Sequence, residues 1–109
     1  MDNNIFSNAS KIEIDVYQAL KKVIDPELAI NIIDLGLVYE IKYIESEGIK
    51  IVMTFSSKGC PMGDAIVNDM KKVLSEDFPQ ILHTIDITWE PVWNTGFVTA
   101  AGRKALGLK

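Results

Sequence analysis

Between Leu37 and Phe55 the chain alternates apolar and polar residues twice, with Glu45-Ser46-Glu47-Gly48 in between. Successive side chains of a strand point to opposite faces, so such alternation predicts two half-buried strands joined by a hairpin turn. In the first, Leu37, Tyr39, Ile41 and Tyr43 alternate with Val38, Glu40, Lys42 and Ile44; in the second, Ile49, Ile51, Met53 and Phe55 alternate with Lys50, Val52 and Thr54. A third run sets Ile85, Ile87 and Trp89 against Thr84, Asp86, Thr88 and Glu90, opened by His83 and ended by Pro91. Between the second and third runs the period changes. Ile66, Met70, Val73 and Leu74 recur at helical spacing, which predicts a helix over about 61–75, closed by Asp77-Phe78-Pro79. A strand, a crossover helix and a further strand make a parallel pair with a right-handed path.

The ends add less. Ser10-Lys11-Ile12-Glu13 fits a capping box, and Ile12, Val16, Ala19, Leu20 and Val23 then fall on one face, predicting a helix over 11–24. Asp25-Pro26 stops it, because proline disfavours helical backbone in the residue before it. Asn31 to Gly36 reads as a connector, with Asp34-Leu35-Gly36 a turn or bulge shaped by Asp34 bonding nearby backbone N–H groups. Residues 97–106 suit a short helix capped by Gly107. The expected architecture is a two-layer α+β sandwich of order α-β-β-α-β-α, with a three-stranded mixed sheet and its helices on one face. The other face, bearing Glu40, Lys42, Lys50, Thr54, Asp86 and Thr88, is expected to meet solvent or a partner. Residues 1–9 read as a flexible polar lead and 10–109 as one domain.

Composition narrows the function classes. Of 109 residues, 48% are hydrophobic, which supports a core; the net charge of −4 and scattered lysines argue against a nucleic-acid binder. No apolar run reaches membrane-spanning length and the first residues lack a signal-peptide pattern, so a cytoplasmic location is expected. A single cysteine excludes an internal disulfide.

That cysteine carries the strongest chemical signal. In Ser56-Ser57-Lys58-Gly59-Cys60-Pro61, a strand hands over to a helix, Gly59 permits a tight turn and Pro61 suits the first helical position. Cys60 then stands at the helix start, where free N–H groups and the dipole favour a thiolate. One thiol does not complete a metal or cluster site, so a metal role requires ligands from another chain. A buried structural cysteine is the alternative. Ser56 and Ser57 supply hydroxyls in the same turn. Asp25-Pro26-Glu27 reads either as a helix stop with solvated acids or as a rigid acid pair able to approach Cys60. Nothing in the spacing brings His83 to Cys60. Trp93 sits on a loop, either as a partner contact or buried under the last helix. Phosphate loops, CxxC, HExxH and nucleophile elbows are missing.

Four ordered segments share one resemblance: Val23-Ile24-Asp25-Pro26-Glu27, Asn31 to Tyr39, Thr54 to Pro61 and Pro91-Val92-Trp93-Asn94. Together they resemble the iron–sulfur cluster assembly domain of SufT/PaaD type, over about residues 10–108. The resemblance implies the two-layer fold and a helper or adaptor role in maturing iron–sulfur proteins. It implies a pocket of Cys60, Asp25, Glu27, Ser56 and Ser57, with Cys60 as ligand or transfer thiol. No intrinsic cofactor is expected, only a transient cluster or iron. Assembly factors and client apo-proteins are the implied partners, with a homodimer as a further arrangement. The chain lacks the cysteine-rich C-terminal module of the PaaD branch, which disfavours that role. Asn94 also departs from the threonine common in the family. Two other function classes stay open: a thiol enzyme with Cys60 as nucleophile, and a pure interaction module.

Overall fold

The computed structural model describes residues 10–56 and 63–107. Its elements run α1 (Lys11–Leu20), β1 (Ile24–Asp25), β2 (Ile30–Asn31), β3 (Val38–Ile44), β4 (Gly48–Met53), α2 (Gly63–Asp77), β5 (His83–Ile87) and α3 (Ala100–Leu106), with a short 3-10 turn at Thr95–Phe97. The main sheet has the order β3-β4-β5; β3 and β4 form the antiparallel hairpin, and β4 runs parallel to β5. Alpha-helices α1 and α2 pack on each other and cover β3 and β5, while α3 lies against β2. The α+β sandwich expected from the alternation is therefore the one observed. The predicted polar lead, residues 1–9, falls outside the described residues.

The core sits where the periodicities point. Val16 and Leu20 of α1, Ile41 of β3, Ile49, Ile51 and Met53 of β4, and Ile66, Met70 and Leu74 of α2 are all buried. Burying such a side chain contributes about 1.5–3 kcal/mol, so this interlayer contact is the main favourable term for the fold. Ile51 pairs with Ile41 on one side and Ile85 on the other, which centres the sheet on β4. On the opposite face Glu40, Lys42, Lys50 and Asp86 are exposed, as expected, whereas Thr88 lies past the strand and is half-buried.

Four expectations need correction. Helix α1 stops at Leu20, not at residue 24, and tightens through Lys22 N–H to Ala19 O and Val23 N–H to Leu20 O. Val23 and Ile24 are β-branched, favour extended backbone, and leave the helix to form a two-stranded ribbon pairing Ile24 with Asn31 and Asp25 with Ile30. Strand β5 ends at Ile87, because Thr88 turns the chain by exchanging hydrogen bonds with Glu90 through its hydroxyl. Thr54, expected on the open face, is fully buried: the strand has ended at Met53, and the Thr54 N–H donates to Leu37 O at 2.8 Å. Residues 97–106 split into the 3-10 turn and α3, whose C-cap Gly107 adopts φ 78° as predicted. The predicted start of α2 at residue 61 lies outside the described residues.

Candidate functional site

The described residues that flank Cys60 stand at the C-terminal end of β4 and the start of α2. Thr54, Phe55 and Ser56 leave the strand, and Gly63 opens the described part of the helix. Gly63 is buried, and a Cβ there would lie 3.0 Å from Cε2 of Phe55. The aromatic ring thus holds the helix start close to the strand end. Cys60 and Ser57 lie outside the described residues, as does any contact they make with Asp25 or Glu27.

Asp25 is 1% exposed, so the reading of two solvated acids fails at this position. Its Oδ1 accepts from the Glu27 N–H at 2.8 Å and the Leu28 N–H at 3.0 Å. The Asp25 carbonyl also accepts from the Ala29 N–H at 2.7 Å. This short side chain therefore moulds the 26–29 turn, in which Ala29 holds φ 60°, a conformation rarely adopted outside glycine. Glu27, in contrast, is exposed. The acid pair is split: one carboxylate is fixed within the fold and the other faces outward.

A second group of residues escapes spacing arguments. The β3–β4 register slips between Val38 and Glu40, placing a bulge at Tyr39. Bulges re-aim side chains. Here the Tyr39 hydroxyl donates to Pro91 O at 2.8 Å, and its ring meets Phe97 edge-on at 5.8 Å between centroids. Burial raises the Tyr39 pKa above 10.0, and a hydrogen bond with the Thr54 side chain partly opposes this. Phe55 and Trp89 pack with centroids 6.0 Å apart. Tyr39, Phe55, Trp89 and Phe97 thus put aromatic surface around the Thr54 end of β4. The only sequence signal is the density of aromatics near Pro91, and it gives no hint of the bulge.

The loop at 31–36 is tied to the C-terminal segment. Asp34 is expected to accept from backbone N–H groups; Asn31 does that instead, its Oδ1 accepting from the Asp34 N–H at 2.9 Å. The Asp34 carboxylate accepts from Asn31 Nδ2 at 2.8 Å and from Thr99 Oγ1 at 2.9 Å. Its negative charge adds to burial in raising the pKa of Tyr17 on α1. Trp93, a candidate partner contact, is half-buried and donates its indole N–H to Leu35 O at 2.7 Å. Its polar atom is used within the fold, while the neighbouring Val92 is 70% exposed.

His83 pairs with Ile49, and Met53 lies four residues further along the parallel strands. At about 3.3 Å per residue, His83 is roughly 13 Å from the strand end that leads to Cys60. Among the described residues, no group of three or more His, Cys, Asp or Glu side chains is arranged to hold a metal ion. Nor, among them, is any helix long and apolar enough to cross a membrane.

Known proteins resemble this chain over most of its length. The chain is 44% identical over 88 residues to the Fe-S protein maturation auxiliary factor SufT of Staphylococcus aureus (strain USA300), covering 79% of this chain and 98% of that protein. It is 38% identical over 96 residues to the Fe-S protein maturation auxiliary factor YitW of Bacillus subtilis (strain 168), covering 87% and 93%. A crystal structure of a domain of unknown function, DUF59, from Bacillus anthracis superposes with a TM-score of 0.84 at 40% identity, covering 89% of this chain and 92% of that one. The model for the iron–sulfur cluster assembly protein family matches residues 13–80, which include the ribbon, the hairpin, the Cys60 segment and α2. The chain therefore belongs to the iron–sulfur cluster assembly protein family.

Proposed function

We propose that this protein is an auxiliary factor that helps iron–sulfur clusters reach client proteins, with Cys60 as the thiol that meets iron. The observation that carries this reading is near-full-length identity to two proteins named as Fe-S protein maturation auxiliary factors. The chemistry is compatible. Cys60 follows β4 and precedes α2 in the chain, a position where a helix start favours thiolate over thiol. A thiolate is the usual protein ligand of an iron–sulfur cluster. In transfer, the iron bond to Cys60 breaks as a client thiolate bonds the same iron, and the client's thiol proton ends on Cys60. Asp25 and Glu27 shape the pocket, one by fixing its turn and one as an outward carboxylate, with Ser56 and Ser57 beside the thiol. The cluster is cargo, shared with a donor or client and not held by this chain alone. Assembly factors and apo-proteins in the cytoplasm are its partners.

The test is anaerobic transfer to an apo-ferredoxin with iron, sulfide and a thiol reductant, followed by visible circular dichroism. The wild-type protein is expected to speed cluster appearance, and Cys60→Ser to lose at least tenfold of that acceleration. Equal acceleration by the two proteins would remove Cys60 from the mechanism.

A further inference from the structure

The sheet treats its two edges differently. On β3 the outward Tyr43 N–H donates to Glu13 Oε2 at 2.7 Å, so a carboxylate from α1 occupies one donor of that edge. Nothing comparable closes β5 among the described residues. The pairing fixes which of its backbone groups are free. Ile49 N–H donates to Leu82 O, and Thr88 N–H donates to Met53 O, both at 2.8 Å. Even-numbered residues of β5 therefore face β4, and the N–H and C=O groups of His83, Ile85 and Ile87 point outward. Edge strands are commonly guarded by lysine, proline or a bulge. Strand β5 has none of these. Apolar surface accompanies the open edge: Ile87 is 39% exposed and Leu82, just before the strand, is 78% exposed.

We infer that β5 is a self-association edge, and that its occupant is β5 of a second copy of this chain. A two-fold axis through Ile85 pairs the strands antiparallel, with Ile85 opposite Ile85 and His83 opposite Ile87 of the other copy. In this register every outward N–H and C=O of the three odd residues finds a partner. Side chains agree with it. Apolar Ile85 and Ile87 extend the helix-covered face across the junction. On the other face Thr84 stands opposite Asp86, so no acid meets an acid. Asp86 already has Lys50 Nζ at 3.8 Å within its own copy, which lowers the cost of covering its charge. The result is one continuous sheet through both copies. The Met53 ends of the two β4 strands then lie roughly 20 Å apart, at opposite ends of the joined sheet.

Sedimentation equilibrium of the full chain from about 10 µM to about 1 mM, with amide exchange by NMR over the same range, decides it. Expected is a monomer–dimer equilibrium in which the amides of His83, Ile85 and Ile87 gain protection with concentration, while those of Thr84 and Asp86 are protected throughout. Thr84 and Asp86 are exposed, so substitution at Thr84 leaves the fold intact. Thr84→Lys should tighten the dimer and Thr84→Asp should weaken it, each by roughly 2- to 30-fold across two symmetric cross-strand pairs. Ile87→Lys should abolish it. A monomer at 1 mM with freely exchanging odd-numbered amides overturns the inference. So does a dimer indifferent to these substitutions, or one whose protection lies elsewhere.

Discussion

Asn31 and Asp34 show how residue types are legible in a sequence before their partners are. Both suit a turn, and the turn is there. Which one accepts the backbone N–H, and which reaches Thr99 sixty-five residues away, depends on where the C-terminal segment docks. Gly36 is fixed by the same docking: its φ is 77°, and a Cβ there would lie 2.2 Å from Phe97 O. Gly36→Ala is expected to destabilise by about 3 kcal/mol or more in urea denaturation, because the backbone must shift in addition to bearing the strained φ. Gly107 has a similar φ of 78° but nothing within 4 Å of where a Cβ would stand, so Gly107→Ala should cost only about 1 kcal/mol. Equal losses would mean that the Phe97 contact is loose. Tyr17 and Tyr39 give a pH test. Both pKa values are raised above 10.0, mainly by burial, so the folded state holds protons that the unfolded state releases. Their stability contribution is full below about pH 10 and declines as pH rises through the folded pKa values. In a phenolate absorbance titration, Tyr17→Phe and Tyr39→Phe should each delete an increment lying above the range of free tyrosine. Loss of an increment at or below that range would contradict the burial argument.

At the scale of elements, periodicity locates each main strand and helix because each buries one face. Its failures share a cause. The β1–β2 ribbon has only two residues per strand, too few for a period, and it is defined by Asp25 folding the 26–29 turn under itself. The regular alternation of Ile85, Ile87 and Trp89 points to a strand reaching residue 90, yet Thr88 turns the chain first. The alternation continues only because Trp89 packs on Phe55 after the strand has ended. The C-terminal segment is held by a few polar contacts, and these can be removed singly. Thr99 caps α3 by accepting from the Gly102 N–H at 3.1 Å and also donates to Asp34. Thr99→Ala should cost about 1–2 kcal/mol. Trp93→Phe keeps most of the ring but loses the bond to Leu35 O, at a cost of about 1 kcal/mol. In both variants amide exchange should accelerate in α3 before it does in β4. Uniform acceleration across the chain would show that α3 does not open as a separate unit.

At the scale of the whole molecule, the sheet, its helical cover and the family are all readable from residue order, since four spaced segments have to meet in one small domain. Their meeting point is less so. Asp25 is a structural carboxylate inside a turn, and Tyr39 enters through a bulge that no alternation reveals. The central claim is that this domain serves iron–sulfur maturation through Cys60. Its most direct measurement is the activity of an iron–sulfur enzyme in cells that depend on this protein, comparing wild type with Cys60→Ser at matched protein levels. The account predicts that wild type restores the activity and Cys60→Ser leaves it near the level of cells lacking the protein; full restoration by Cys60→Ser would contradict it.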